Sequence, residues 1–242
     1  MIGGDDPARR IFCAIDTDAL PSALALAKAL GGHIGGVKVG LELFTAAGPE
    51  GVKALGQAAP LFLDLKFHDI PNTVAGAVRA AVALRPAFLT LHVAGGEAML
   101  RAARDAAEAA ARNAGIERPR LLGVTVLTSL DQADLDAVGL AGPVEARTLA
   151  LAELAKHAGL DGIVASAREA GSLRDHLGPD FKLVVPGLRP AFAKTGDQKR
   201  VATPAEALAA GADMLVIGRP ITGAADPVAA LQKIVEEINA SP

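Results

Sequence analysis

The sequence predicts one (β/α)8 barrel, and three observations support this prediction. The chain has 242 residues, a length that suits a single barrel of this type. Eight short apolar runs alternate with alanine-rich stretches of helical period, which is the pattern of repeated strand–helix units. The strand candidates begin near Arg10, Gly36, Leu61, Phe88, Leu121, Gly162, Phe181 and Met214. We therefore expect residues 1–242 to form a single domain.

Helix candidates lie between these strands and include residues 19–30, 98–113, 144–157 and 204–209. An open, doubly wound sheet is the main alternative. Such sheets usually have fewer strands and often a glycine-rich turn after the first strand, whereas the first strand here ends in IDTDALP. Eight strand–helix pairs therefore favour the closed barrel.

The composition argues against several classes of partner. Lys and Arg total 24 against 27 for Asp and Glu, and the formal net charge of -3 gives no basic surface for nucleic acid or anionic membrane. The N-terminal segment is acidic where a signal peptide would be basic. The one cysteine, Cys13, lies in an apolar run and is expected to be a buried thiol. We expect a cytoplasmic protein that binds neither nucleic acid nor membrane.

The strongest local signal is LFLDLKFHDIPNTV, in which an apolar strand acquires charged residues at Asp64, Lys66 and then Asp69. Side chains alternate along a strand, so positions 64 and 66 share one face, which we interpret as the lumen. Two alternatives remain open. The pair could be a structural ion pair, or Asp69 could cap the next helix, where Pro71 suits the first turn.

A second charged position, Lys38 in GVKVG, ends the second strand candidate. We expect it to join Asp64, Lys66 and Asp69 in a cluster of alternating charge, where each desolvation cost is offset by opposite neighbours. Such a cluster suits proton donation to carbon. A single inward lysine could equally neutralise a carboxylate in the core.

Two features near the C-terminus indicate an anion site. Gly218 and Arg219 end the eighth strand, where barrels often bind phosphate through backbone N–H groups, and an arginine adds a bidentate donor. The connection VVPGLRPAFAKTGDQKRVATP after strand seven is long enough to be a closing lid, with Gly187 and Gly196 as hinges. The alternatives are an ordinary surface arginine and a disordered insertion.

Taken together, the segments Asp64-x-Lys66-x-x-Asp69, IPNT, VVPGLRP, GDQKRV-x-TP and GADMLVIGRPIT resemble the bacterial orotidine 5′-monophosphate decarboxylases. The first segment alone also resembles the hexulose-phosphate synthases and ketogulonate-phosphate decarboxylases, which use magnesium. Those enzymes are expected to place a metal-binding carboxylate where this chain has Lys38. The five histidines show no ligand spacing, so we expect no metal. The resemblance to the decarboxylases implies an enzyme that needs no cofactor. His68 and His92 are interpreted as structural.

The resemblance implies decarboxylation of orotidine 5′-monophosphate to uridine 5′-monophosphate, the last step of de novo pyrimidine synthesis. It implies that Lys66 protonates C6 of the pyrimidine, that Asp64 faces the departing carboxylate, and that Lys38 hydrogen-bonds the ribose. Further binding residues carried over in the same way are Asp16 at the ribose, Thr128 at the pyrimidine, Gln198 between base and phosphate, and Arg189, Gly218 and Arg219 at the phosphate.

The resemblance also implies a homodimer, in which Asp69 and Thr73 reach into the neighbouring subunit's site. Two further hypotheses remain. One is a magnesium-dependent aldolase or decarboxylase acting on a sugar phosphate, and the other is a barrel that binds a phosphorylated metabolite without turnover.

Overall fold

A computed structural model describes residues 6–193 and 202–241 of the chain. Within these ranges eight parallel strands, β1 to β8, follow one another around a closed barrel. They are β1 Ile11–Ile15, β2 Gly36–Val39, β3 Leu61–Phe67, β4 Phe88–His92, β5 Arg120–Val124, β6 Gly162–Val164, β7 Lys182–Val185 and β8 Met214–Ile217. The predicted closed barrel is confirmed, and the open doubly wound sheet is wrong.

The helices of the described residues cover the outside of the barrel. They are α1 Leu20–Leu30, α2 Leu41–Ala58, α3 Pro71–Val82, α4 Glu97–Ala114, α5 Gln132–Ala137, α6 Val144–His157, α7 Ala167–Leu177, α8 Pro204–Ala209, α9 Arg219–Thr222 and α10 Pro227–Ala240. Short 3₁₀ turns occupy Pro7–Arg10 and Val93–Gly95. None of these helices is long and apolar enough to cross a membrane.

The predicted starts of the eight strands and the predicted bounds of the four helices agree with the structure to within one residue. The strand predicted to begin near Leu121 is shorter than its sequence pattern, since the run LLGVTVL extends to residue 127 but β5 ends at Val124. The ladder to β6 ends at the Val124–Val164 pair. The next residue, Thr125, instead donates its hydroxyl to the Val164 carbonyl at 3.1 Å.

Aromatic rings fill the lumen of the barrel below its C-terminal mouth. Phe12, Phe62 and Phe88 are each at most 1% exposed, and the ring of Phe12 lies edge-on to the other two at centroid distances of 5.9 and 5.3 Å. A side chain at Gly36 would collide with the Phe12 ring. This packed apolar floor leaves the mouth as the part of the lumen where polar side chains can lie.

A second core lies between the strands and the surrounding helices. Cys13 belongs to it and is fully buried, as predicted. Burial, together with the nearby charge of Asp16, raises the pKa of the Cys13 thiol to about 12. The thiol therefore stays protonated at neutral pH.

Candidate active site

A chain of charges crosses the mouth of the barrel from β1 to β3. Lys66 Nζ lies 2.9 Å from Asp64 Oδ2, and Lys38 Nζ lies 3.6 Å from the same oxygen and 3.3 Å from Asp16 Oδ1. The side chains of Lys38 and Asp64 are only 11% and 14% exposed, whereas Lys66 is 32% exposed. Three of the four predicted catalytic residues, Lys38, Asp64 and Lys66, therefore form one charged cluster within a single subunit.

The strand alternation explains why Lys38 and Asp64 meet. Lys38 pairs in register with Phe62 on β3, and Asp64 follows Phe62 by two residues on the lumen-facing side. Both charged groups therefore lie just above the aromatic floor. Each would be costly to bury alone, and their proximity offsets that cost.

Lys66 reaches the mouth by a different route, because β3 is irregular at its end. The register between β3 and β4 shifts between the Leu63–Leu89 pair and the Phe67–Leu91 pair, which is a bulge of the kind found next to active sites. Lys66 lies in this bulge with φ of 50°. A left-handed conformation costs a non-glycine residue about 1–2 kcal/mol, so the surrounding structure must hold it in place.

Thr90 on β4 is the contact that holds the bulge, and it is absent from the predicted site. It is fully buried, and its Oγ1 accepts the backbone N–H of Lys66 at 2.8 Å and donates to Asp64 Oδ1 at 3.0 Å. The signal was present in the sequence, because alternation in FLTLH puts Thr90 on the same face as Phe88.

Asp69 lies outside the charged cluster of its own chain, contrary to the expectation drawn from the residue pattern. Its Oδ1 accepts the N–H of Ile70 at 2.6 Å, and within residues 6–193 and 202–241 no ion pair joins it to Lys38 or Lys66. It precedes α3, but its side chain makes no cap bond to that helix. Asp69 and Thr73 both lie on the exposed surface.

The end of β8 adjoins the charged cluster through Gly218. A Cβ at this position would lie 3.4 Å from Ala14 Cβ and 3.9 Å from Asp16 Oδ2. The backbone at Gly218 is thus next to the carboxylate that pairs with Lys38.

Beyond Gly218, the two predicted phosphate-binding arginines line one pocket of about 270 Å³. Arg219 begins α9, and Arg189 lies in the connection after β7; Phe192 also lines this pocket. The Arg189 N–H donates to the Ala202 carbonyl at 3.1 Å, which joins the two described ends of that connection. A pocket lined by two arginines suits a phosphate.

Of the remaining predicted binding and hinge residues, two lie in the described part of the chain and two lie outside it. Thr128 lies in an exposed turn after β5. Gly187, the first hinge candidate, has φ of 76°, a conformation that glycine adopts readily. Gln198 and Gly196 lie outside the described residues, so their predicted roles stay predictions.

Two histidines stack beside the bulge. The rings of His68 and His92 are 5.1 Å apart with an interplanar angle of 23°, and His92 Nδ1 is buried without a hydrogen-bond partner among the described residues. Burial, and then the nearby charges of His68 and Lys66, lower the pKa of His92. A neutral His92 avoids a further positive charge next to Lys66.

The lowered pKa predicts how stability depends on pH. As the pH falls, the unfolded chain binds a proton at His92 near pH 6.5, before the folded protein does. The contribution of His92 to the free energy of unfolding is therefore complete above about pH 6.5 and is lost as the pH falls toward the pKa of the folded protein. We expect His92→Asn to flatten the acid side of the stability curve. Urea unfolding of both proteins between about pH 5 and 8 measures this, and parallel curves would contradict it.

No group of three His, Cys, Asp or Glu side chains in the described part of the chain could hold a metal ion. The cluster instead presents two ammonium groups around one shielded carboxylate. Such a site can stabilise developing negative charge on a bound substrate and can deliver a proton to it.

Comparison with known proteins agrees with this geometry. The chain is 56% identical over 230 residues to the orotidine 5′-phosphate decarboxylase of Rhodospirillum rubrum, covering 94% of this chain and 93% of that protein. It is 49% identical over 238 residues to that of Vibrio cholerae, covering 98% and 99% of the two chains. The crystal structure of the Lactobacillus acidophilus enzyme superposes with a TM-score of 0.84 at 39% identity, covering 95% and 99%.

A family profile gives the same result over almost the whole barrel. Residues 9–234 match the Orotidine 5′-phosphate decarboxylase / HUMPS family. This stretch includes all eight strands and each residue of the charged cluster and of the arginine pocket. The chain therefore belongs to the Orotidine 5′-phosphate decarboxylase / HUMPS family.

Proposed function

We propose that this chain decarboxylates orotidine 5′-monophosphate to uridine 5′-monophosphate and carbon dioxide, the last step of de novo pyrimidine synthesis. The single observation that carries the proposal is the cluster of Lys38, Asp64 and Lys66 at the barrel mouth. Named decarboxylases of about half-identical sequence support the substrate. On this proposal residues 1–242 act as one cytoplasmic catalytic domain.

Lys66 is the proposed acid. As the bond between C6 and the carboxylate breaks, its electron pair stays on C6, and the Lys66 ammonium gives that carbon a proton. Its positive charge stabilises the developing carbanion before the transfer is complete. The exposed fraction of Lys66, 32%, lets the resulting neutral amine regain a proton from water.

Asp64 is proposed to face the substrate carboxylate, a like-charge contact that is relieved as carbon dioxide leaves. Its Oδ2 also holds the Lys66 ammonium at 2.9 Å, which positions the acid beside the reacting carbon. Lys38 and Asp16, joined at 3.3 Å, are placed to hydrogen-bond the ribose. Thr128 is proposed to contact the pyrimidine, and Gln198 is proposed to bridge the base and the phosphate.

We further propose a homodimer whose two sites each combine residues from both chains. Asp69 and Thr73 are exposed at the start of α3, where they could reach a neighbouring subunit's cluster. Ile70 is 66% exposed, which offers apolar surface for a partner to cover. A two-fold interface places the same patch on both subunits.

The proposed function is tested by adding orotidine 5′-monophosphate to purified, chelator-treated protein. We expect one uridine 5′-monophosphate and one carbon dioxide per substrate consumed. The ultraviolet spectrum of the pyrimidine measures the conversion. A sugar phosphate such as a hexulose phosphate is the control. Turnover only of the sugar phosphate, and only with magnesium, would favour the magnesium-dependent alternative.

Arg219 is expected to act through the phosphate. Arg219→Ala should lower kcat/KM for the nucleotide by at least about 100-fold, since charge-assisted hydrogen bonds contribute about 1.5–3 kcal/mol each. The control is orotidine, which lacks the phosphate and should react equally slowly with both proteins. An unchanged kcat/KM for the nucleotide would contradict this role.

A further inference from the structure

We propose that Thr90 is a positioning residue for the decarboxylation, because one hydroxyl fixes both the backbone of the acid Lys66 and the carboxylate of Asp64. This inference rests on the proposed function. It starts from a side chain that is fully buried in the lumen and makes two short hydrogen bonds within the charged cluster.

The chemistry of a hydroxyl sets the direction of both bonds. Threonine has one O–H hydrogen and lone pairs that accept. The Lys66 amide can only donate, so Thr90 Oγ1 accepts from it at 2.8 Å. The single hydroxyl hydrogen is then available for Asp64 Oδ1 at 3.0 Å. Thr90 therefore makes both hydrogen bonds at the same time, and the direction of neither bond can be reversed.

The first bond secures the backbone from which the acid extends. Lys66 has φ of 50° in a strand whose ladder to β4 is interrupted. Its N–H therefore needs a partner outside the regular ladder, and Thr90 supplies it from the neighbouring strand. This fixes the direction in which the lysine side chain leaves the bulge.

The second bond orients the carboxylate. With Oδ1 bound to Thr90, the other oxygen, Oδ2, is the one that faces Lys66 at 2.9 Å and Lys38 at 3.6 Å. Rotation of the Asp64 carboxylate would move this oxygen away from both ammonium groups. Thr90 thus couples the position of the proton donor to that of the anion that holds it.

The test compares two substitutions at Thr90 with a matched control. Thr90→Val keeps the shape and removes both bonds, whereas Thr90→Ser keeps the hydroxyl. The control Thr125→Val removes the hydroxyl of another buried threonine, which is 1% exposed and whose hydroxyl, among the residues that the structure describes, donates to the Val164 carbonyl alone. The readouts are kcat, KM, the Kd for uridine 5′-monophosphate and the Tm.

We expect Thr90→Val to lower kcat at least about tenfold, because small misplacement of catalytic groups is costly, while the Kd for the product changes less than about threefold. Thr90→Ser and Thr125→Val should keep kcat within about threefold of wild type. Should the valine variant not fold, Thr90→Cys, a weak donor of similar volume, replaces it with the same expected loss of kcat.

Three results would overturn the proposal. They are a kcat within about threefold of wild type in Thr90→Val, an equal loss of kcat in Thr90→Ser, and an equal loss in Thr125→Val. Failure of the proposed function looks different, since the wild-type protein itself would then not convert orotidine 5′-monophosphate.

Discussion

Replacing Lys66 with alanine is expected to lower kcat for orotidine 5′-monophosphate by at least about 10⁴-fold, the largest effect of any single substitution. The change removes the proton donor, a contribution of about 10²–10⁴-fold, and also the charge beside C6, which adds about 10²–10³-fold. Single-turnover spectroscopy with enzyme in excess measures the residual rate.

The matched control for this prediction is Lys53→Ala, which removes an exposed lysine on α2. It should leave kcat unchanged. The Lys66→Ala protein should still bind uridine 5′-monophosphate, because the arginine pocket is intact. Substantial turnover in Lys66→Ala would mean that another group protonates C6.

Asp69→Ala is expected to be nearly as inactive, and mixing it with Lys66→Ala should restore activity. In a mixed two-fold dimer, one site combines both substitutions and the other combines the intact Lys66 of one chain with the intact Asp69 of its partner. Random mixing makes half of the dimers mixed, so about a quarter of the wild-type activity per protomer should return.

The control for this experiment is to mix Lys66→Ala with Asp64→Ala. Both residues belong to the same chain's cluster, so no mixed dimer regains an intact site and no activity should return. No recovery with Asp69→Ala would argue that each site is built from one chain. Recovery in the control would contradict the assignment of Lys66 and Asp64 to the same chain's cluster.

Much of the site follows from strand alternation and needs no structure. The side-chain alternation of a strand predicts that Lys38 and Asp64 both face the lumen, and Lys38 Nζ lies 3.6 Å from Asp64 Oδ2. The barrel topology brings β8 next to β1, so the position of Gly218 beside Asp16 also follows from the order of strands.

The parts that the sequence could not predict depend on local irregularity or on other chains. Strand alternation assigned Lys66 to the correct face, but its backbone conformation results from a bulge for which the apolar pattern gives no signal. The sequence does not indicate a role for Thr90, because an uncharged residue in an apolar strand resembles a residue of the core. The role of Asp69 does not follow from the structure of one chain, since the site that it is predicted to contact belongs to a partner subunit.

The most direct test of the central claim is a crystal structure of the protein with uridine 5′-monophosphate bound. We predict the Lys66 ammonium within about 3.5 Å of C6, Asp64 beside the space left by the carboxylate, and the phosphate between Arg189 and Arg219. A pyrimidine bound away from this cluster, or a Lys66 side chain turned toward solvent, would contradict the account.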